Sequence, residues 1–188
     1  MNPRECSPAI GCLLGALAAI LLLAGTAWAQ HEQAYPFNGA NGAYPQGGLI
    51  VDGAGNFYGS TFRGGPSNLG VVYEMSPTAN GKATESVLHT FQGGSDGANP
   101  IGNLVFDNAG NLYGVTEKGG VLNFGTVFEL SPPSQGSSWT ETVLYSFQGG
   151  PSDGTYPEAG LVFDEAGNLY GTPPAGISAA PAATPYSN

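Results

Sequence analysis

The sequence has few charged residues, and very few of them are basic. Four Lys and Arg stand against 14 Asp and Glu among 188 residues, which gives a formal net charge of −10. Nucleic-acid binding requires basic side chains that neutralise phosphates, and an anionic membrane surface repels an acidic protein. The charge therefore argues against a nucleic-acid partner and against membrane association of the mature chain.

Cysteine is nearly absent, and both cysteines, Cys6 and Cys12, lie near the start of the chain. There Arg4 precedes an apolar stretch from Ala9 to Ala24, and the small-x-small triplet Ala27-Trp28-Ala29 follows it. This order is typical of a secretory signal peptide. The apolar stretch is shorter than the roughly 20 residues that span a bilayer, which favours cleavage over an uncleaved anchor.

We therefore predict that residues 1–29 form a signal peptide and that the protein is exported. Its destination would be the cell surface or the extracellular medium, with the periplasm as the alternative. The mature chain would hold no cysteine, so neither a disulfide nor a thiol nucleophile could contribute to it. Its stability must come from packing.

Glycine and apolar residues are plentiful instead. The chain contains 31 Gly and 15 Pro, yet 41% of its residues are hydrophobic and 11% are aromatic. Short strands separated by tight turns explain this combination better than a disordered chain does. No segment after the signal peptide shows a helical period, so we expect an all-β fold.

A repeat of about 55 residues organises the chain. The block Gly48–Gly59 recurs as Asn103–Gly114 and as Gly160–Gly171, at offsets of 55 and 57 residues. Such periods indicate tandem structural units. We divide residues 30–172, the β-repeat domain, into a partial unit at 35–45, full units at 46–100 and 101–157, and a partial unit at 158–172. A Pro/Ala-rich tail at 173–188 is expected to be disordered.

Each unit contains four runs of β-forming residues. In the second copy these runs are 103–107, 111–116, 125–130 and 141–147. Several are apolar on both faces, which indicates a sheet that is covered on both sides. The fourth run alternates, as a half-exposed outer strand would. Tandem four-stranded antiparallel repeats predict a β-propeller-like fold, and fewer than four units predict an incomplete propeller whose open blade edges could self-associate.

The repeated motif Asp-x-Ala-Gly-Asn is predicted to form a hairpin turn in each unit. An Asp carboxylate can accept backbone N–H groups inside a turn, and Gly adopts a positive φ without a Cβ clash. The structural turn residues are Asp52 and Gly55, Asp107 and Gly110, and Asp164 and Gly167.

These blocks resemble the bacterial GloVer tandem repeat. The resemblance rests on Leu-Tyr-Gly-x-Thr followed by Gly-Gly, then Gly-Thr-Val-Phe-Glu-Leu, then Phe-x-Gly-Gly-x-Asp-Gly and a Pro, from about Phe37 to Gly171. Proteins with this repeat are described as choice-of-anchor surface or secreted proteins. The resemblance implies an exported β-repeat protein and brings no catalytic residue. The third copy lacks the later blocks after Thr172, which predicts a truncated relative of a longer protein.

The repeated acids include candidate ligands for Ca²⁺. Asp96 and Asp153 lie in Asp-Gly loops, where the first copy has Asn41. Calcium takes six to eight oxygen ligands, whereas each loop offers about one carboxylate. A turn is therefore the favoured interpretation and a calcium site is the alternative. We expect no other cofactor.

Catalytic constellations are difficult to assemble. Two glutamate pairs recur at equivalent strand positions: Glu74 with Glu129, and Glu85 with Glu141. Because a catalytic pair seldom repeats in every unit, solvated strand-edge acids are favoured over a glycosidase pair. His89 is replaced by Tyr145 in the next copy, which indicates a packed ring rather than a general base.

Two aromatic residues, Trp139 and Tyr156, break the repeat and are the preferred ligand-binding candidates. Aromatic rings combine a large apolar face with a polar group, which suits binding surfaces. We predict an exported, non-catalytic interaction or scaffold module that contacts glycans or proteins at the cell surface. The alternative is a secreted carbohydrate-active enzyme, a glycoside hydrolase or lyase that uses a carboxylate pair.

Overall fold

The computed structural model describes residues 35–136, 138–150 and 153–172. The fold of this part is all-β and its sheets are antiparallel, which confirms the predicted fold class. The predicted signal peptide and the Pro/Ala-rich tail lie outside the described residues. Within the described part, no helix is long and apolar enough to cross a membrane.

The first sheet has five strands. Both β1 (Ala43–Pro45) and β2 (Ile50–Val51) pair with β3 (Phe57–Arg63), one at each end of that strand. The strands β4 (Val71–Pro77) and β5 (Ala83–Thr90) then complete the sheet in antiparallel order. Since β5 pairs only with β4, it forms an edge, and its side chains are half-exposed to exposed, as the alternation in sequence predicts.

The second sheet has four strands in chain order. They are β6 (Ala98–Phe106), β7 (Leu112–Lys118), β8 (Thr126–Ser131) and β9 (Thr140–Ser146). All four predicted runs of the second copy are strands, but β6 begins earlier than predicted because Ala98 pairs with Lys118 at the far end of β7. Its register shifts between Ile101 and Val105, where the first sheet has two separate strands. The sheet boundaries therefore fall a few residues before the repeat boundaries.

A two-stranded hairpin, β10 (Val162–Phe163) and β11 (Leu169–Tyr170), begins a third unit. It matches the first hairpin of the earlier units in sequence and in pairing. The described residues form no closed barrel or propeller, which agrees with the prediction of an incomplete array.

Each sheet packs face to face on the next one. One core joins the first two sheets and contains Tyr58, Val72, Phe91, Leu104, Leu112, Phe128 and Leu130. A second core joins the second sheet to the hairpin and contains Tyr113, Val115, Val127, Phe147, Leu161 and Leu169. Each fully buried apolar side chain contributes about 1.5–3 kcal/mol. The interfaces between units are therefore the main source of stability.

The two cores repeat the same contacts. The ring of Tyr58 meets Phe106 of the next unit edge-on at 5.0 Å, and Tyr113 meets Phe163 in the same way at 5.1 Å. This equivalence places corresponding loops of successive units side by side.

Candidate functional site

The Asp turns connect the first two paired strands of each unit, and each Asp carboxylate organises its own turn. In the second unit, Oδ1 of Asp107 accepts the backbone N–H groups of Ala109 and Asn111, each at 2.8 Å. Its Oδ2 accepts the Asn111 side-chain amide at 2.8 Å and the Tyr113 hydroxyl at 3.0 Å. A carboxylate has about four acceptor positions, and all four are used.

The same four hydrogen bonds recur at Asp52 and at Asp164. The turn glycine has a positive φ each time, 89° at Gly55, 88° at Gly110 and 85° at Gly167. An L side chain rarely adopts this conformation, which explains why glycine stands at this position in all three turns.

The turn also shifts the pKa values of Asp107 and Tyr113 in opposite directions. Burial pushes the pKa of Asp107 upward, but the hydrogen bonds from Asn111, Tyr113 and Ala109 outweigh it and hold the pKa below its ordinary value. Burial, the hydrogen bond to Asp107 and the charge of Glu129 raise the pKa of Tyr113 to about 12. A charged carboxylate therefore faces a neutral phenol, and neither group is poised for proton transfer near neutral pH.

Two clefts lie between successive Asp turns. The first has a volume of about 490 Å³ and lies between the turns of Asp52 and Asp107. The second has a volume of about 500 Å³ and lies between the turns of Asp107 and Asp164. Aromatic rings line both: Tyr58, Phe106 and Trp139 in the first cleft, and Phe106, Tyr113 and Phe163 in the second. Asn108, an exposed turn residue, lines both clefts.

The structure separates the two predicted ligand-binding aromatics. Trp139 lines the first cleft, where its ring centroid lies 6.4 Å from that of Tyr58. Tyr156 is 39% exposed, packs edge-on against Phe124 at 5.6 Å and lines neither cleft. Of the two, Trp139 therefore belongs to a cleft between the Asp turns, and Tyr156 lies outside both of these clefts.

The Asp-Gly loops close on the preceding edge strand instead of opening toward a ligand. Oδ1 of Asp96 lies 3.0 Å from Nε2 of His89, and its Oδ2 accepts the N–H of Gln92. Asp153 makes the equivalent bonds, accepting the hydroxyl of Tyr145 and the N–H of Gln148. Among the described residues, no group of three or more His, Cys, Asp and Glu is arranged to hold a metal ion.

A family model described as the Gloeobacter/Verrucomicrobia repeat matches residues 22–181. The chain belongs to this repeat family. The match covers most of the sequence and confirms the resemblance drawn from the four sequence blocks. Comparison with curated proteins and with solved structures returns no match.

This Gloeobacter/Verrucomicrobia repeat protein contains one further polar site, which the sequence did not reveal. We call His89, Asp96 and Glu141 the junction cluster, since the first two close one sheet and the third lies on the edge strand of the next. Oε1 of Glu141 is shielded from solvent and accepts no hydrogen bond from the described residues, and the same holds for Oε1 of Glu85 in the first sheet. Both residues are therefore half-buried, with one carboxylate oxygen shielded, and are less solvated than the strand pattern predicts.

The environment of Glu141 is electrostatically unusual. Burial raises its pKa to about 7, the negative charge of Asp96 adds to the effect, and His89 opposes it. In the first sheet the equivalent neighbour of Glu85 is Asn41. Its side-chain amide is uncharged and donates a hydrogen bond to the carboxylate of Glu85. The other glutamate pair differs, since Glu74 and Glu129 each accept a serine hydroxyl at 2.8 Å. Only the second sheet therefore brings a second carboxylate to its buried glutamate.

Proposed function

We propose that this protein is an exported, non-catalytic interaction module of β-propeller-like construction, and that it binds extracellular glycans in the clefts between its Asp turns. The observation that carries the proposal is the first cleft, in which Trp139, Tyr58 and Phe106 line a volume of about 490 Å³. Ligand sites are typically concave, largely apolar and furnished with a few polar groups.

Export is supported by the first 29 residues. They combine Arg4, the apolar stretch from Ala9 to Ala24 and the triplet Ala27-Trp28-Ala29, an order typical of a signal peptide. Amino-terminal sequencing of the protein recovered from outside the cytoplasm is expected to begin at Gln30. Recovery of the intact chain from the cytoplasm alone would contradict export.

The chemistry of the clefts favours a neutral, ring-shaped ligand. The turn carboxylates of Asp52 and Asp107 already accept four hydrogen bonds each, so they stiffen the rim instead of capturing a cation. Aromatic faces at the cleft wall can stack on the apolar face of a sugar ring. The polar rim, which includes Asn108, offers hydrogen bonds to hydroxyl groups.

Titration calorimetry against a panel of soluble oligosaccharides tests the proposal. A cleft ligand should bind wild type saturably, and Trp139→Ala should weaken its binding tenfold or more, the usual loss when a stacked aromatic anchor is truncated. Tyr156→Ala is the matched control, since this exposed aromatic lies outside both clefts. Thermal melting of both variants checks the fold, because Trp139 also packs against the first core.

The second candidate is a carbohydrate-active enzyme, and the junction cluster favours it. A glutamate with a pKa of about 7 near a second carboxyl group, that of Asp96, resembles the general acid of a glycosidase carboxylate pair. Against it, neither residue lines the two clefts. Release of reducing sugar by wild type, abolished in Glu141→Gln and kept in Glu85→Gln, would establish this alternative.

A further inference from the structure

We propose that the exposed face of the first sheet binds the β10–β11 hairpin of a second copy of this chain, so that copies associate head to tail. We call Leu49, Val51 and Phe57 the head face, and Val162 and Tyr170 the tail face.

The head face is exposed although its counterparts in later units are buried. Leu49 is 54% exposed, whereas Leu104 and Leu161, at the same repeat position, are 2% and 3% exposed. Phe57 is 40% exposed, whereas Leu112 and Leu169 are 0% and 1% exposed. The sequence therefore builds the same apolar face three times, and only in the first sheet is it left open.

The second sheet shows what covers such a face. Leu104, Phe106 and Leu112 pack against the first hairpin of the preceding unit through Ile50 and Tyr58. Further along the same face, Phe91 of the preceding unit packs edge-on against Phe128 at 5.2 Å. This phenylalanine covers a different part of the face from the hairpin. The cover thus includes a hairpin and a phenylalanine, together with further apolar side chains of the preceding sheet such as Val72.

Among residues 35–136, 138–150 and 153–172, only one part of this cover lies over the first sheet. Phe37 packs against Tyr73 at 5.1 Å, and these residues correspond to Phe91 and Phe128 of the next interface. The remaining exposed residues are Leu49, Val51 and Phe57, the positions that a hairpin covers elsewhere. A β-hairpin of the same repeat is therefore the shape and chemistry that the head face fits.

The chain offers such a hairpin at its other end. Val162 is 62% exposed and Tyr170 is half-exposed, whereas Ile50 and Val105 are half-buried and Tyr58 and Tyr113 are buried at the same repeat positions. The tail face is equivalent to the face of β2–β3 that covers the second sheet, and in the part of the chain that the structure describes no further sheet lies against it. Each copy thus carries both halves of one interface on different surfaces.

Such a contact is heterologous, so it generates rings or open chains of copies. The small apolar patches indicate a weak interface that forms at high protein concentration. Like copies of net charge −10 repel one another, and added salt screens this repulsion. Association should therefore strengthen as the salt concentration rises.

Sedimentation velocity of the full chain over a wide concentration range tests the proposal. Wild type should shift to species larger than a dimer as concentration rises. Phe57→Asp and Val162→Asp should each remain monomeric alone, because each loses one half of the interface. An equimolar mixture of the two should form a dimer and nothing larger, since one intact head then meets one intact tail. Circular dichroism should show that both variants keep the wild-type fold.

Val121→Asp is the matched control, since Val121 is exposed and belongs to neither face; it should associate like wild type. A wild type that stays monomeric at the highest concentration would overturn the proposal. So would a Val162→Asp variant that dimerises alone, which indicates head-to-head contact. Association that persists in both single variants would also overturn it, since another surface would then hold the copies together.

Discussion

The first and second sheets share their sequence pattern but differ in what covers them. The second sheet packs against a neighbour on both faces, with the first sheet on one side and the β10–β11 hairpin on the other. The first sheet packs on the second through one face, and its head face is exposed. The comparison shows that a residue of this repeat is a core residue only where an adjacent unit covers it. Stability is therefore a property of the interfaces, as in other repeat proteins.

The largest expected effect on the free energy of unfolding comes from one of two matched leucine substitutions. Leu104→Ala removes a buried side chain between two sheets and should lower the free energy of unfolding by about 2–5 kcal/mol. Leu49→Ala changes the same repeat position on the exposed head face and should cost about 0.5 kcal/mol or less. Urea denaturation measures both, at a concentration low enough to keep the chain monomeric. Equal losses at the two positions would break the comparison.

Substitution of the turn carboxylates should lower the free energy of unfolding, because each one accepts four hydrogen bonds within its turn. Asp107→Asn removes acceptors from a turn held between two units, so it should be the costlier change, and Asp164→Asn in the exposed last turn should cost less. Denaturation of both variants sharpens the comparison, because the four hydrogen bonds are the same and only the neighbours differ. A larger loss for Asp164→Asn would contradict this view.

The pH dependence of Asp107 follows from the same hydrogen bonds. Its pKa in the folded chain lies below the ordinary value of 3.8, so the folded state binds its proton less readily than the unfolded state does. The stabilisation is complete above pH 3.8 and is lost as the pH falls through the folded pKa. The difference in melting temperature between wild type and Asp107→Asn should therefore shrink in acid.

A smaller effect is expected from the turn glycines. Gly110→Ala places a Cβ at a φ of 88° with no neighbouring atom within 4 Å, so backbone strain alone should cost about 1 kcal/mol. Gly53→Ala is the matched control in the first turn, where space is also open but φ is not positive; it should be neutral or slightly stabilising. A melting temperature unchanged by Gly110→Ala would argue against the strain.

A similarly small effect concerns the junction cluster. Because the folded chain raises the pKa of Glu141 to about 7 from 4.5, the folded state binds a proton more tightly between these values, and stability falls as pH rises through them. After allowance for solvent screening of a half-exposed group, Glu141→Gln should stabilise the protein by about 1 kcal/mol at pH 8 and have no effect near pH 4. Thermal melting at both pH values checks this. A variant that is stabilised equally at pH 4 would contradict the assignment.

Much of the fold could be predicted from the sequence because its signals are local. Strand-forming runs, turn glycines and the 55-residue period each depend on neighbouring residues, and the four strands of the second unit follow from them. The early start of β6 was missed because Ala98–Ile101 contains Pro100 and pairs only after a shift in register. Such a shift depends on the partner strand and leaves no local pattern.

The site was less predictable, because it depends on contacts between units. Glu85 and Glu141 lie on strands that alternate like exposed edges, so their partial burial becomes visible only when the loop of the preceding unit covers them. One sequence signal was available, since each unit has a ring residue a few positions before its Asp or Asn. The three pairs are Tyr35 and Asn41, His89 and Asp96, and Tyr145 and Asp153. A hydrogen-bonding ring that recurs six to eight residues before Asp or Asn indicates that the two side chains pair, but it does not reveal the glutamate of the following sheet.

Amide hydrogen exchange followed by mass spectrometry tests the difference between the two sheets most directly. The strands β4 (Val71–Pro77) and β8 (Thr126–Ser131) hold matched positions and matched pairing in their sheets. Opening the first sheet disrupts one interface, whereas opening the second disrupts two, so in dilute solution the β4 amides should exchange faster than the β8 amides. Equal rates, or slower exchange in β4, would contradict the claim that adjacent units stabilise each sheet.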